Sequence, residues 1–176
     1  MFHNNVFPTH MNKGITNLKK TRTFLLDIIK DLSEEEFNTI PASFNNNIIW
    51  NVAHLLATQQ LFSYLRSGQK MFPDESYFIS YKPGSRPGEF VNSASIEEIR
   101  FLLISTINQF EIDYSNNLFS NYTNWITRSG IEIHNIDDAI QFMPFHEGIH
   151  TGCIMALRRA VKNNFDYVAL SQSTSK

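Results

Sequence analysis

The stretch Asp138-Ala-Ile-Gln-Phe-Met-Pro-Phe-His146-Glu147-Gly-Ile-His150-Thr-Gly-Cys153-Ile-Met-Ala-Leu157 decides how the rest of the chain is read. It is apolar at helical spacing, yet it carries two histidines four residues apart. At about 100° per residue, His150 lies roughly 40° around the helix from His146. Ala139, Phe142, Met143, Ile149, Cys153, Leu157 and Val161 all fall within about 60° of His146 on the same wheel. Both imidazoles are therefore expected to face the core. A buried polar group needs a partner, and two imidazoles one turn apart suit a metal ion. The plainer alternative is a pair of core histidines bonded to backbone or hydroxyl groups.

The helix that holds this stretch is expected over about 136–162. Pro144, inside it, removes the hydrogen bond to the carbonyl of Ile140 and predicts a kink just before His146. Arg158, Arg159 and Lys162 read as a solvated C-terminal end that complements the helix dipole. Upstream, residues 123–134 alternate around Ser129-Gly130 and predict a small hairpin, with His134 on its surface.

A third helix is expected over about 96–118, capped by Ser93 or Ser95, with Ile96, Ile99, Leu103, Ile107, Phe110 and Tyr114 as its stripe. A second spans about 48–66, with N-cap chemistry in Asn45-Asn46-Asn47 and Gly68 past its end. Trp50, His54, Ala57, Thr58, Leu61 and Leu65 share one of its faces, with Gln59, Ser63 and Arg66 opposite. A lone histidine beside Trp50 is usually just packed; together with His146 and His150, His54 becomes a candidate third ligand. The first helix runs over about 11–30, on Ile15, Leu18, Leu25 and Ile29. Ser33-Glu34-Glu35-Glu36 has capping-box spacing for a short helical turn, ended by Pro41.

Residues 69–94 form a long connection with three prolines and interleaved aromatics. They read as an ordered segment that either walls a site or plugs the bundle end. Residues 1–11 read as an arm packing through Phe2, Val6 and Phe7. Residues 163–176 read as a polar tail anchored by Phe165 and Tyr167. The expectation is an all-α four-helix bundle, a single domain over 1–176 with its core at about 11–162.

Composition narrows the functions. Fifteen basic residues against seventeen acidic ones, with no basic stripe, argue against nucleic acid or a charged membrane surface as partner. No apolar run is long enough for a membrane-spanning helix. The first residues lack a basic n-region and an apolar h-region, so no signal peptide is expected. Cys153 is the single cysteine, so a reducing cytoplasm is the expected setting. Only 18% of residues are charged, which predicts a homodimer through bundle faces.

His146-Glu147-Gly-Ile-His150 matches the metalloprotease helix pattern literally, with Glu147 as a potential general base. The remainder of the chain does not follow that pattern. No Glu follows Glu147 and no His follows His150. A third ligand must come from upstream, and His54 is the inward-facing candidate.

A Trp50-Asn-Val-Ala-His54-Leu helix early and a His146-Glu-Gly-Ile-His150-Thr-Gly helix late, in a chain of this length, resemble the DinB-like superfamily. Its relatives include bacterial low-molecular-weight-thiol S-transferases and the mycothiol-dependent maleylpyruvate isomerase. The resemblance covers about residues 13–161. It implies up-down-down-up connectivity and a divalent metal on His54, His146 and His150. Many relatives carry Gln where this chain has Cys153, which either adjusts the site or packs; packing is the expectation.

The resemblance implies, as the first expectation for function, a metal-dependent enzyme in which a small thiol attacks an electrophile. The ion is Zn or Ni, with Fe, Co or Mn as alternatives. A metal-dependent hydrolase with Glu147 as its base is the second reading. The third is a non-catalytic, metal-stabilised, stress-associated domain. The site is expected to open beneath residues 69–94, through a hydrophobic mouth that receives an apolar small-molecule substrate.

Overall fold

A computed structural model describes residues 12–173 of the chain. Four long helices carry the fold: α1 (Lys13–Ile28), α3 (Ile48–Phe62), α5 (Ser93–Ser115) and α6 (Ile136–Ser173). Between them lie the short helices α2 (Glu34–Asn38) and α4 (Glu75–Tyr81) and a 3-10 turn at Leu65–Ser67. A hairpin of β1 (Trp125–Ile126) and β2 (Glu132–Ile133) precedes α6, with Trp125 opposite Ile133. The expected packing of Phe2, Val6 and Phe7 lies outside the described residues, as do the side chains of Phe165 and Tyr167. Among the described residues no helix is long and apolar enough to cross a membrane.

Local chemistry explains where the helices start. The first N–H groups of a helix lack intrahelical partners, and a short polar side chain at each N-cap supplies one. Asn12 accepts from Gly14 N–H, Asn47 from Trp50 N–H and Asp74 from Ser76 and Tyr77. Ser33 and Glu36 form the expected reciprocal capping box of α2. The cap of α5 is Asn92, one residue before Ser93 and three before Ser95, and it accepts from Ser95 N–H. Pro144 falls inside α6 without ending it, and the helix runs on to Ser173, past the expected stop at 162. The expected solvated end is therefore mid-helix. There Arg158 bonds the Asp31 carboxylate, and Lys162 reaches Asp31 and Glu36.

Side-chain bonds between the helices set their directions. Asn12, Lys19 and Arg22 of α1 meet Tyr114, Glu111 and Thr106 of α5, so these two helices run antiparallel. Arg22 and Asp31 meet Glu147 and Arg158, so α1 and α6 run parallel. Asn51 meets His150 while Phe62 meets Phe142, so α3 and α6 are antiparallel. The result is up-down-down-up, and the long 63–92 connection returns the chain so that α5 can run alongside α3. Neighbours around the bundle are α1–α6–α3–α5. Gly14 lets α1 lie close on α6: a Cβ there would sit 2.3 Å from Ile140 Cγ2.

Helix α3 departs from the expected one-sided pattern. Every residue in it except Leu61 is buried, including Gln59, which the wheel placed outside. α4 and the segment around it cover the flank that would otherwise face water, as Tyr77 donating to the Ala53 carbonyl illustrates. A helix enclosed on all sides shows no apolar stripe that would reveal its orientation.

The core falls into two apolar clusters. One gathers Leu25, Ile29, Val52, Leu103 and Leu157; the other gathers Ile15, Leu18, Phe62, Phe110 and Met143. In each long helix the break between them is polar: Arg22, Gln59, Thr106 and Glu147, all buried.

Candidate metal centre

The polar layer ties all four long helices together. Arg22 donates through Nε (3.0 Å) and Nη2 (2.7 Å) to Glu147 Oε1. Its Nη1 donates to Gln59 Oε1 at 3.1 Å and to the Leu103 carbonyl at 2.8 Å. Thr106 Oγ1 donates to the same Gln59 oxygen. Arg22 is fully buried and Glu147 is 2% exposed. Burial pushes the Glu147 carboxyl up, and the Arg22 guanidinium holds it down. With two charged N–H groups on one oxygen, we read the pair as ionised, since guanidinium stays protonated in proteins.

This layer corrects the helical wheel of α6. The buried positions Ile140, Met143, Glu147, Thr151, Ile154, Leu157 and Val161 centre on Glu147 rather than on His146. Ile149 is 51% exposed, and Cys153, expected to pack, is exposed as well. The wheel erred because it was centred on His146; a buried carboxylate is tolerated here because Arg22 neutralises it.

His146 and His150 therefore lie on the flank of the buried stripe that faces α3. There they meet His54. Ring centroids are 5.5 Å apart for His54 and His146, 4.6 Å for His54 and His150, and 4.8 Å for His146 and His150. One nitrogen of each ring lies within 4.8 Å of the others. Three histidines from two helices, far apart in sequence, thus converge as expected. Glu147 and Cys153 do not join this cluster.

Two of the rings are oriented from behind. His54 Nδ1 lies 2.6 Å from the Tyr81 carbonyl oxygen, which can only accept, so Nδ1 carries the proton. His150 Nδ1 lies 2.9 Å from Asn51 Oδ1. That oxygen is assigned by the other end of the amide, because Asn51 Nδ2 donates to the Asn47 carbonyl. Both rings consequently keep an Nε2 lone pair free. His146 has no hydrogen-bond partner among the described residues. Trp50 stacks on His54 at 4.7 Å and 13°, and Phe62 stands edge-on to His146 at 5.4 Å.

Electrostatics favour neutral rings. Burial lowers His54, against the pull of the Tyr81 carbonyl. Burial and the neighbouring His54 hold His146 down to about 4. Burial, then His54 and His146, hold His150 down to about 3. Neutral imidazoles offer lone pairs, and those of His54 and His150 at Nε2 are directed away from their Nδ1–H partners. The donor set fits a divalent ion that accepts nitrogen ligands, with Tyr81 and Asn51 as the outer partners that fix ring orientation.

A cavity of about 540 Å³ lies under residues 73–92, between α3, α4 and α5. It touches the histidines only indirectly, through Trp50 and Tyr81 in its wall, and its lining is mixed in polarity rather than the expected hydrophobic mouth. The apolar exposed side chains near His146 and His150 are instead Phe145 and Ile149, on α6 itself. His134 is at the surface as expected, bonded to Glu132.

Arg22 and Asn51 were missed in the sequence. Arg22 fills the one gap in the stripe Ile15, Leu18, Leu25, Ile29, which was the signal for a buried cation. Asn51 lies one turn before His54, but nothing in sequence spacing pairs it with His150.

An up-down-down-up four-helix bundle with a three-histidine cluster between its second and fourth long helices defines the class. The chain belongs to the DinB superfamily, whose family model matches residues 17–154. No curated protein matches it.

Proposed function

We propose that the chain is a divalent-metal enzyme of the S-transferase type, using a small thiol to attack an electrophile. The observation that carries this reading is the convergence of three imidazole rings, one nitrogen from each, on the half-buried flank of α6, with no fourth protein ligand beside them among the described residues. Three protein ligands are the open, catalytic arrangement, whereas closed structural sites use four. When bound, the metal would supply Lewis acidity that lowers the pKa of a thiol or water.

The chain's own residues do the rest. His54, His146 and His150 hold the ion, while Asn51 and the Tyr81 carbonyl orient two of the rings. Trp50, Phe62 and Phe142 keep water off the imidazole faces. Glu147 supports the transferase reading over the hydrolase one. A hydrolytic base needs a carboxylate that water at the site can reach, and Glu147 is 2% exposed, paired with Arg22 and outside the imidazole cluster.

The test is reconstitution with Zn(II) or Ni(II), elemental analysis, and thiol-dependent turnover of a panel of small electrophiles with bacillithiol, mycothiol and cysteine. His54→Ala is expected to lose both metal and turnover. Glu147→Gln is expected to keep the metal and much of its transferase activity. Full activity in metal-free His54→Ala protein would refute catalysis and leave the structural reading, in which the ion only ties α3 to α6.

A further inference from the structure

The cavity under residues 73–92 has a composition of its own. Its walls are aromatic: Trp50, Tyr77, Tyr81 and Phe90. Its charged lining is one cation, Arg86, and two anions, Glu89 and Glu98. None of these three forms an ion pair among the described residues, although both signs border the same space. The volume, about 540 Å³, lies within the range of small-molecule sites, which are largely apolar with a few placed polar groups.

We infer that this cavity binds a zwitterionic, amino-acid-like small molecule, with its carboxylate on Arg86, its ammonium against Glu89 and Glu98, and an aromatic or apolar body between Trp50, Tyr77 and Tyr81. A guanidinium recognises a carboxylate through paired N–H donors. Two carboxylates lining the same space disfavour a plain anion and favour a ligand that also carries an ammonium group. The aromatic walls take the body by area, and Trp50 has its indole N–H already satisfied on Ser85 Oγ at 3.1 Å.

The position gives the site a second property. Trp50 lines the cavity, and its ring stacks on His54. Tyr81 lines the cavity and its carbonyl holds His54 Nδ1. The two groups that fix the His54 ring are thus the ones a bound ligand would press on, so occupancy is felt at the imidazole cluster although the ligand does not reach it. The inference does not depend on the ion: Arg86, Glu89 and Glu98 lie outside the imidazole cluster.

The experiment follows the Trp50 indole N–H signal by NMR in the full chain, metal-free and zinc-loaded. The chain has two tryptophans, so Trp125→Phe assigns the remaining signal to Trp50. The probes are L-phenylalanine and glycyl-L-phenylalanine, with N-acetyl-L-phenylalanine and L-phenylalaninamide each lacking one charge. A saturable shift of the Trp50 signal is expected with at least one zwitterion at millimolar concentration. Each singly charged derivative should bind about ten- to a hundredfold more weakly, the range of one hydrogen bond to a charged group.

Arg86→Ala should abolish the discrimination against the amide, and the double variant Glu89→Gln, Glu98→Gln the discrimination against the N-acetyl form. All three positions are exposed, so these variants should fold. No saturable shift with either zwitterion, a response at Trp125 alone, or unchanged binding in Arg86→Ala overturns the inference. Binding should persist without metal, so failure here leaves the metal reading intact, and loss of metal by the histidine variants leaves this site intact.

Discussion

Replacing Arg22 by Leu isolates the energetics of the polar layer. Arg22 makes four kinds of contact, but they do not weigh equally. Gln59 and Thr106 keep each other as partners when the guanidinium is gone. The Leu103 carbonyl loses its side-chain donor at the modest cost of one hydrogen bond. Glu147, 2% exposed, is left as a buried carboxylate with no counter-charge, and that dominates: removing one partner of a buried pair costs about 3–5 kcal/mol.

At roughly 2–4 °C per kcal/mol for a chain of this size, the melting temperature should fall by about 6–20 °C. The carboxyl can escape by protonating. Its folded-state pKa would then stand above the unfolded value, so the folded state binds more protons, and the variant's deficit relative to wild type should shrink as pH falls from 7 toward 5. Arg22→Leu with Glu147→Leu removes both charges and should recover most of the loss. The assay is urea unfolding of metal-free protein followed by circular dichroism. A single-variant cost under about 1 kcal/mol, or a double variant as damaged as the single, would refute the reasoning.

Gly14→Ala places a methyl group where Ile140 stands and should destabilise the α1–α6 contact by about 1–3 kcal/mol, read by thermal unfolding. Asn51→Leu should weaken Zn(II) affinity about 10–100-fold in a chelator competition, whereas Asn51→Asp, which still accepts from His150 Nδ1, should retain it. Metal-free wild-type protein should lose stability on acidification. The imidazoles are held below their unfolded value near 6.5, so the unfolded chain takes up protons first as pH falls toward 4, at a cost on the order of a few kcal/mol in the urea midpoint. Cys153 is exposed and should react with a disulfide reagent in native protein as fast as in urea-unfolded protein; slow native reaction would restore the packed reading.

The four helices were legible because α1 and α5 are amphipathic, with stripes at the helical period ending at polar caps. The hairpin was legible because Gly130, at φ 82°, marks the turn. The three histidines were legible as a set through the spacing in α6 and the resemblance, which supplied the pairing with His54. The orientation of α6 was not, because the wheel was centred on His146, and only the three-dimensional meeting of Arg22 with Glu147 moves that centre. The burial of α3 on every side was hidden for a related reason. What covers its outer flank is α4, whose seven residues show no period that sets them apart from a loop. Asn51 was illegible because its partner is on another helix, and no local spacing encodes that meeting.

The order of the helices has a consequence for how the chain acquires its structure. Within the bundle α1 lies beside α5 and α6, and α3 occupies the opposite corner. α1 therefore has no long neighbour among the described helices to dock on until residues beyond 93 have left the ribosome, and Arg22 waits for a partner 125 positions away. A chain with so many of its contacts between distant positions is expected to fold slowly for a helical protein. The imidazole cluster needs α3 and α6 already side by side, so on the proposed reading an ion can be captured only at the end. Metal uptake in a pulse-labelled refolding experiment should consequently lag helix formation and coincide with the final docking of α6.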